Sequence, residues 1–303
     1  MKGLRKGVLL GMVFLSLLLA CSGSSKNITD VKIYLGTPAW ELAKAVDNQN
    51  VRKIAKIAEK NPELLDYQDP FHGTTLLFWA VGMEKYEAAE ELLKAGANPD
   101  IISLYDGGTA LYRAAGFSLI DNDAKNDPKF VKLLLQYGAN PNIGYVGNER
   151  NNNLEIGTTP LMRSIGCGIE KTKILVEGGA EINFKTTYGE TAAICALLLG
   201  SGGKDDTAKE YAHYLIVEKK ANVRDSYRVF IGIASTNIDR YPVDLLRYWV
   251  SDIDSYGHRM KMEIVEEFTR QGVDYWATEI PQYYLEQIQK RYPDTWEEYI
   301  KKY

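Results

Sequence analysis

Beyond residue 36 the apolar positions fall in short stripes at helical spacing, broken by glycine, asparagine and proline. Leu42, Ala45, Val46, Ile54 and Ile57 make the inward face of a helix pair over residues 37–68. Leu92-Leu93 and Leu133-Leu134-Leu135 stripe two further helices, each closed by a glycine. The closing phrase is written several times: LLKAGANPD at 92–100, LLLQYGANPN at 133–142, LVEGGAEIN at 175–183 and, degraded, EKKANV at 218–223. Its glycines, Gly96, Gly138 and Gly179, and Lys220 in the last copy, stand 42, 41 and 41 residues apart. An opening phrase keeps different intervals: GTTLLFWAV (73–81), GGTALYRAA (107–115), GTTPLMRSI (157–165) and GETAAICAL (189–197) are spaced 34, 50 and 32. Two phrases with unequal spacing imply one shorter unit carrying insertions in different places.

Read together, G-x-T-x-L-x-x-A-A followed by a leucine stripe and G-A-x-x-N resembles the ankyrin repeat, whose period is near 33 residues. The chemistry of each position agrees. Thr75, Thr109, Thr159 and Thr191 stand where a hydroxyl caps a first helix, and Pro160 suits a first helical turn. Ala80, Ala114 and Ala115 are small where helices approach, and the closing glycines suit a left-handed helix end. The resemblance implies an all-α solenoid of stacked helix-turn-helix units with β-hairpin or loop fingers and extra C-terminal capping helices. Its expected divisions are a signal peptide at 1–20, a lipidated linker at 21–36, the repeat array at 37–225, and a degenerate repeat with a helical cap at 226–303. Within the last division, 257–274 is expected to be a fifth, stretched unit with a Gly-His turn, and 281–303 two short helices. Residues 226–242 receive no assignment.

The first residues form a separate pattern: basic Lys2, Arg5 and Lys6, an apolar run from Val8 to Leu19, then Ala20-Cys21. The run is short for a spanning helix and fits a secretory signal. LLAC followed by Ser22 also resembles a bacterial lipobox, which implies lipidation at Cys21 and a lipid-anchored protein of the cell envelope, facing the periplasm and on the outer membrane in a diderm. Removing residues 1–20 leaves 33 basic against 40 acidic groups. That balance argues against nucleic acid and against an anionic lipid surface as partners. Cys167 and Cys195 are then the remaining cysteines, too few for a disulfide scaffold and expected as free thiols.

No catalytic constellation is assembled: HExxH, CxxC and GxSxG are missing from the sequence, and no enzyme activity, cofactor or metal is expected. GSGGKDD at 200–206 lacks the spacing and hydroxyl of a phosphate loop. Asp252, Asp254, Gly257 and Glu263 hold EF-hand positions, but Tyr256 and Arg259 break the pattern, so calcium is not assigned.

The pattern that remains is a tyrosine in every connection between units: Tyr67, Tyr105, Tyr145, Tyr188 and Tyr227. Ankyrin-type proteins bind partners through such fingers and through the exposed ends of first helices, where Met83, Phe117 and Leu199 stand here. These eight residues are the expected partner-binding set, since tyrosine joins contact area to a polar tip. The alternative is that the rings lie against the neighbouring unit. The expected function is a monomeric, non-enzymatic protein-binding scaffold tethered in the envelope, most concretely one that sequesters a toxin or effector as an immunity protein. An envelope assembly or stress-protection scaffold is the second reading.

Overall fold

The computed structural model describes residues 27–121, 123, 126–147, 155–201, 206–231 and 234–303. Helices come in pairs. α1 (Trp40–Asp47) and α2 (Val51–Lys60) are followed by α3 (Leu76–Gly82) and α4 (Tyr86–Lys94). Then come α5 (Ala110–Ala115) with α6 (Lys129–Gln136), and α7 (Pro160–Ser164) with α8 (Ile169–Glu177). α9 (Ala192–Ser201) pairs with α10 (Thr207–His213), which runs on into a π-helical turn, Tyr214–Glu218.

The pairs stack in two layers. First helices α3, α5, α7 and α9 touch in succession, as do second helices α2, α4, α6, α8 and α10, with a continuous apolar core between the layers. These stacked helix pairs make a mostly helical solenoid, as the ankyrin resemblance implies. Each opening threonine caps its first helix: the hydroxyls of Thr75, Thr109, Thr159 and Thr191 accept the N–H groups of Phe78, Tyr112, Met162 and Ile194 at 3.2–3.4 Å. Each closing glycine is left-handed, with φ of 102°, 83° and 90° at Gly96, Gly138 and Gly179, and Lys220 keeps that conformation at 59° without being glycine.

The closing phrase has a second use. Just beyond the glycine, a main-chain N–H reaches back to a side chain of the preceding unit: Asn98 to Asp66, Asn140 to Asp100, Glu181 to Asn142 and Asn222 to Asn183, all at 2.8 Å. The asparagine and aspartate of the repeated phrase are therefore inter-unit links.

In the C-terminal part the structure fills the unassigned segment and corrects one expectation. Residues 226–242 contain an antiparallel hairpin, β1 (Tyr227–Ile231) with β2 (Ala234–Arg240), pairing Tyr227 with Arg240. The Gly257-His258 pair makes no turn; it lies in the first turn of α12 (Tyr256–Arg270), capped by Ser255. Before it stands α11 (Pro242–Leu245), and after it come α13 (Gln282–Arg291) and α14 (Trp296–Tyr299). Ile288, Tyr299 and Tyr303 form a small separate core there. Cys21, the segment 148–154 of the long third finger and residues 202–205 lie outside the described residues. No described helix is long and apolar enough to cross a membrane.

Candidate protein-binding face

The connections between units are joined edge to edge by main-chain bonds. Leu104 N–H donates to Gly73 O, Val146 N–H to Gly107 O, Thr187 N–H to Ile156 O and Arg228 N–H to Tyr188 O, at 2.9–3.4 Å. This row positions the fingers as one surface.

The structure separates the eight expected contact residues. Tyr145 is 2% exposed and Tyr227 3% exposed, so neither ring offers a surface. For Tyr145 the reason is visible: its ring stacks on Tyr112 (centroids 6.2 Å) and fills the space above Gly107, where a Cβ would stand 2.6 Å from it. Tyr67, Met83 and Tyr105 are half-buried against the core, Tyr105 also edge-on to His72 at 5.4 Å. Tyr188 is half-buried, and its N–H donates to the Glu155 carboxylate. Phe117 is half-buried beneath an arginine, while Leu199 is exposed beside Leu198.

What the fingers present instead are apolar side chains next to the tyrosines or at the finger ends: Phe71 (47%), Leu104 (71%), Val146 (51%) and Ile156 (55%). Leu104 precedes Tyr105 and Val146 follows Tyr145. Leu104 stands in the turn that also holds the half-buried Tyr105, and Val146 is exposed directly after the buried Tyr145. The signal available in the sequence was the apolar residue beside Tyr105 and beside Tyr145.

Behind the fingers, the first helices carry a column of rings and guanidinium groups. Arg113 lies 5.8 Å from the Phe78 centroid and pairs with Asp106 at 2.5 Å. Arg163, one unit on, lies 4.7 Å from the Phe117 centroid and 5.6 Å from Tyr112. Burial pushes the Asp106 carboxyl upward while Arg113 pulls it down, and burial drives the Tyr112 hydroxyl to about 12. A cavity of about 140 Å³ opens beside this column, walled by Arg113, Gly116, Phe117, Asp127 and Lys171. Lys171 is buried, its ammonium donating to Ala114 O at 2.8 Å, and burial lowers its pKa. Where fingers three and four meet, Glu155 and Glu190 lie close enough for burial and mutual charge to raise Glu190 to about 7.

Other chemistry is spoken for. Cys167 and Cys195 are free thiols, and burial pushes both upward, away from the reactive thiolate. Asp252 is held by Arg291 at 2.8 Å and by the Tyr292 hydroxyl, whereas Glu263 meets His213 at 2.6 Å, so the two ends of the EF-hand-like segment serve separate contacts. Among the described residues no group of three or more His, Cys, Asp or Glu could hold a metal ion.

Comparison with known proteins gives three findings. No curated protein matches the chain. A solved structure, that of the ankyrin repeat protein EF0377, aligns at 19% identity over 76% of this chain and 96% of its own, with a TM-score of 0.48. The family model described as "Ankyrin repeat" matches residues 72–104 and 106–144, which hold α3 to α6 and the finger between them. By threonine caps, left-handed helix ends, stacked helix pairs and this match, the segment 72–144 of the chain consists of ankyrin repeats.

Proposed function

We propose that the protein is a non-enzymatic scaffold that binds another protein across its fingers and the adjoining first helices. One observation carries the reading: Phe71, Leu104, Val146 and Ile156 expose apolar side chains on fingers already tied to one another by main-chain bonds. Exposed apolar area on a rigid frame favours protein contact, because covering it releases water at little ordering cost. The lipobox-like LLAC supports a further reading, a lipid tether at Cys21 in the cell envelope. With it goes a role in sequestering a toxin or effector as an immunity protein.

The test is capture of the native partner from envelope extract, then affinity measurement on Leu104→Ser and Ile156→Ser. Each is expected to weaken binding roughly tenfold, as truncation of a contact residue commonly does. Unchanged affinity in both variants sinks the finger face.

A further inference from the structure

Arg113 and Arg163 occupy one position of consecutive units, four residues after the capping Thr109 and Thr159. Arg113 is buried and fully engaged at its terminal nitrogens: one pairs with Asp106 at 2.5 Å and the other donates to Phe117 O at 3.0 Å. Arg163 is placed differently. Half-buried, it lies against the Phe117 and Tyr112 rings at 4.7 and 5.6 Å, and its guanidinium makes no hydrogen bond or ion pair with a described residue. The close fit depends on Gly116, where a Cβ would stand 2.6 Å from Arg163 Nε. The two rings hold the group in place, and its N–H groups remain for an acceptor from outside.

We propose that Arg163 receives one carboxylate of the bound protein, from an aspartate, a glutamate or a chain terminus. The assignment rests on the protein-binding reading above and names the chemistry of one contact within it. Local charge selects the occupant. Asp106 and Arg113 neutralise each other, so the cluster Asp106, Arg113, Arg163 carries one net positive charge and matches one monoanion. A phosphate dianion would bring a second negative charge toward Asp106. Shape agrees, because a planar guanidinium edge meets a carboxylate with two parallel hydrogen bonds. The adjoining Tyr112 and Phe117 rings lower the local dielectric and strengthen that pairing. A chain with a net charge of −4 thus holds a local cationic contact that its overall balance conceals.

The experiment follows the side-chain Nε–H resonance of Arg163 in the full chain. The probe is acetyl-Leu-Glu-Leu amide at millimolar concentration, with acetyl-Leu-Gln-Leu amide as control. The glutamate peptide is expected to shift the resonance saturably and the glutamine peptide not to. By intrinsic tryptophan fluorescence, affinity for the glutamate peptide should fall about tenfold in Arg163→Lys, which loses the bidentate geometry, and vanish in Arg163→Met. Circular dichroism confirms that both variants are folded. Equal response to the two peptides, no response to either, or saturation by inorganic phosphate in preference to the glutamate peptide overturns the assignment. The protein-binding reading fails independently, through Leu104→Ser and Ile156→Ser.

Discussion

The Asp100 side chain accepts the main-chain N–H of Asn140 at 2.8 Å, tying one unit to the next where the repeated phrase ends. Because the contact is exposed, water can replace it, so Asp100→Ala should cost only about 1 kcal/mol. Urea unfolding should show a lower midpoint with an unchanged slope. No change in midpoint would mean that the link is incidental to stacking.

Core substitutions should cost more. Leu134 is fully buried, and Leu134→Ala should lose about 2–5 kcal/mol through the cavity it leaves. Ala115 is fully buried on the first-helix side, whereas its neighbour Ala114 is only half-buried, so overpacking falls on the former. Ala115→Leu should cost about 1–3 kcal/mol, read by the same urea unfolding.

Tyr145 and Leu104 should separate stability from binding. Tyr145→Ala removes a ring buried over Gly107 and should cost about 3–5 kcal/mol, as loss of a large buried aromatic does. Leu104→Ser changes an exposed side chain and should stay within about 0.5 kcal/mol of wild type while weakening the partner. Thermal unfolding of the two variants, set beside their affinities, checks the contrast.

Stability should depend on pH through Glu190. Burial, aided by the charge of Glu155, raises its carboxyl from 4.5 to about 7, so between those values the folded state holds the proton more tightly than the unfolded state. The groups that sense Glu190 from packed elements, Cys195 on α9 and Tyr227 on β1, are neutral acids raised by burial and supply no countercharge. The contribution of Glu190 is therefore complete below pH 4.5 and is lost as pH rises through 7, by up to about 3 kcal/mol. Glu190→Gln should flatten that part of the pH–stability curve. A wild-type slope retained in the variant would move the effect elsewhere.

Cys21→Ser should release the protein from membranes if the lipobox reading holds. Carbonate-resistant membrane association of the variant, measured by fractionation, would require another anchor.

Local rules were enough to read the repeats. A threonine before a first helix, a glycine after a second and leucines between them act within a few residues, through caps, left-handed φ and one apolar stripe, and α3 to α9 follow from them. The hairpin at 227–240 was not legible, because its strands gain their pairing only beside the last finger, where Arg228 bonds to Tyr188. Tertiary structure also decided which way each aromatic faces. Tyr145 is buried because Gly107, 38 positions earlier, makes room for its ring, while Val146 beside it stays exposed. Arg113 and Arg163 read alike in their phrases, yet Asp106 engages the first while Phe117 and Tyr112 frame the second. The sequence alone determined where helices begin, end and show an apolar stripe, since those depend on neighbours along the chain. Only tertiary structure decided what the fingers expose, since that depends on neighbours brought together by stacking.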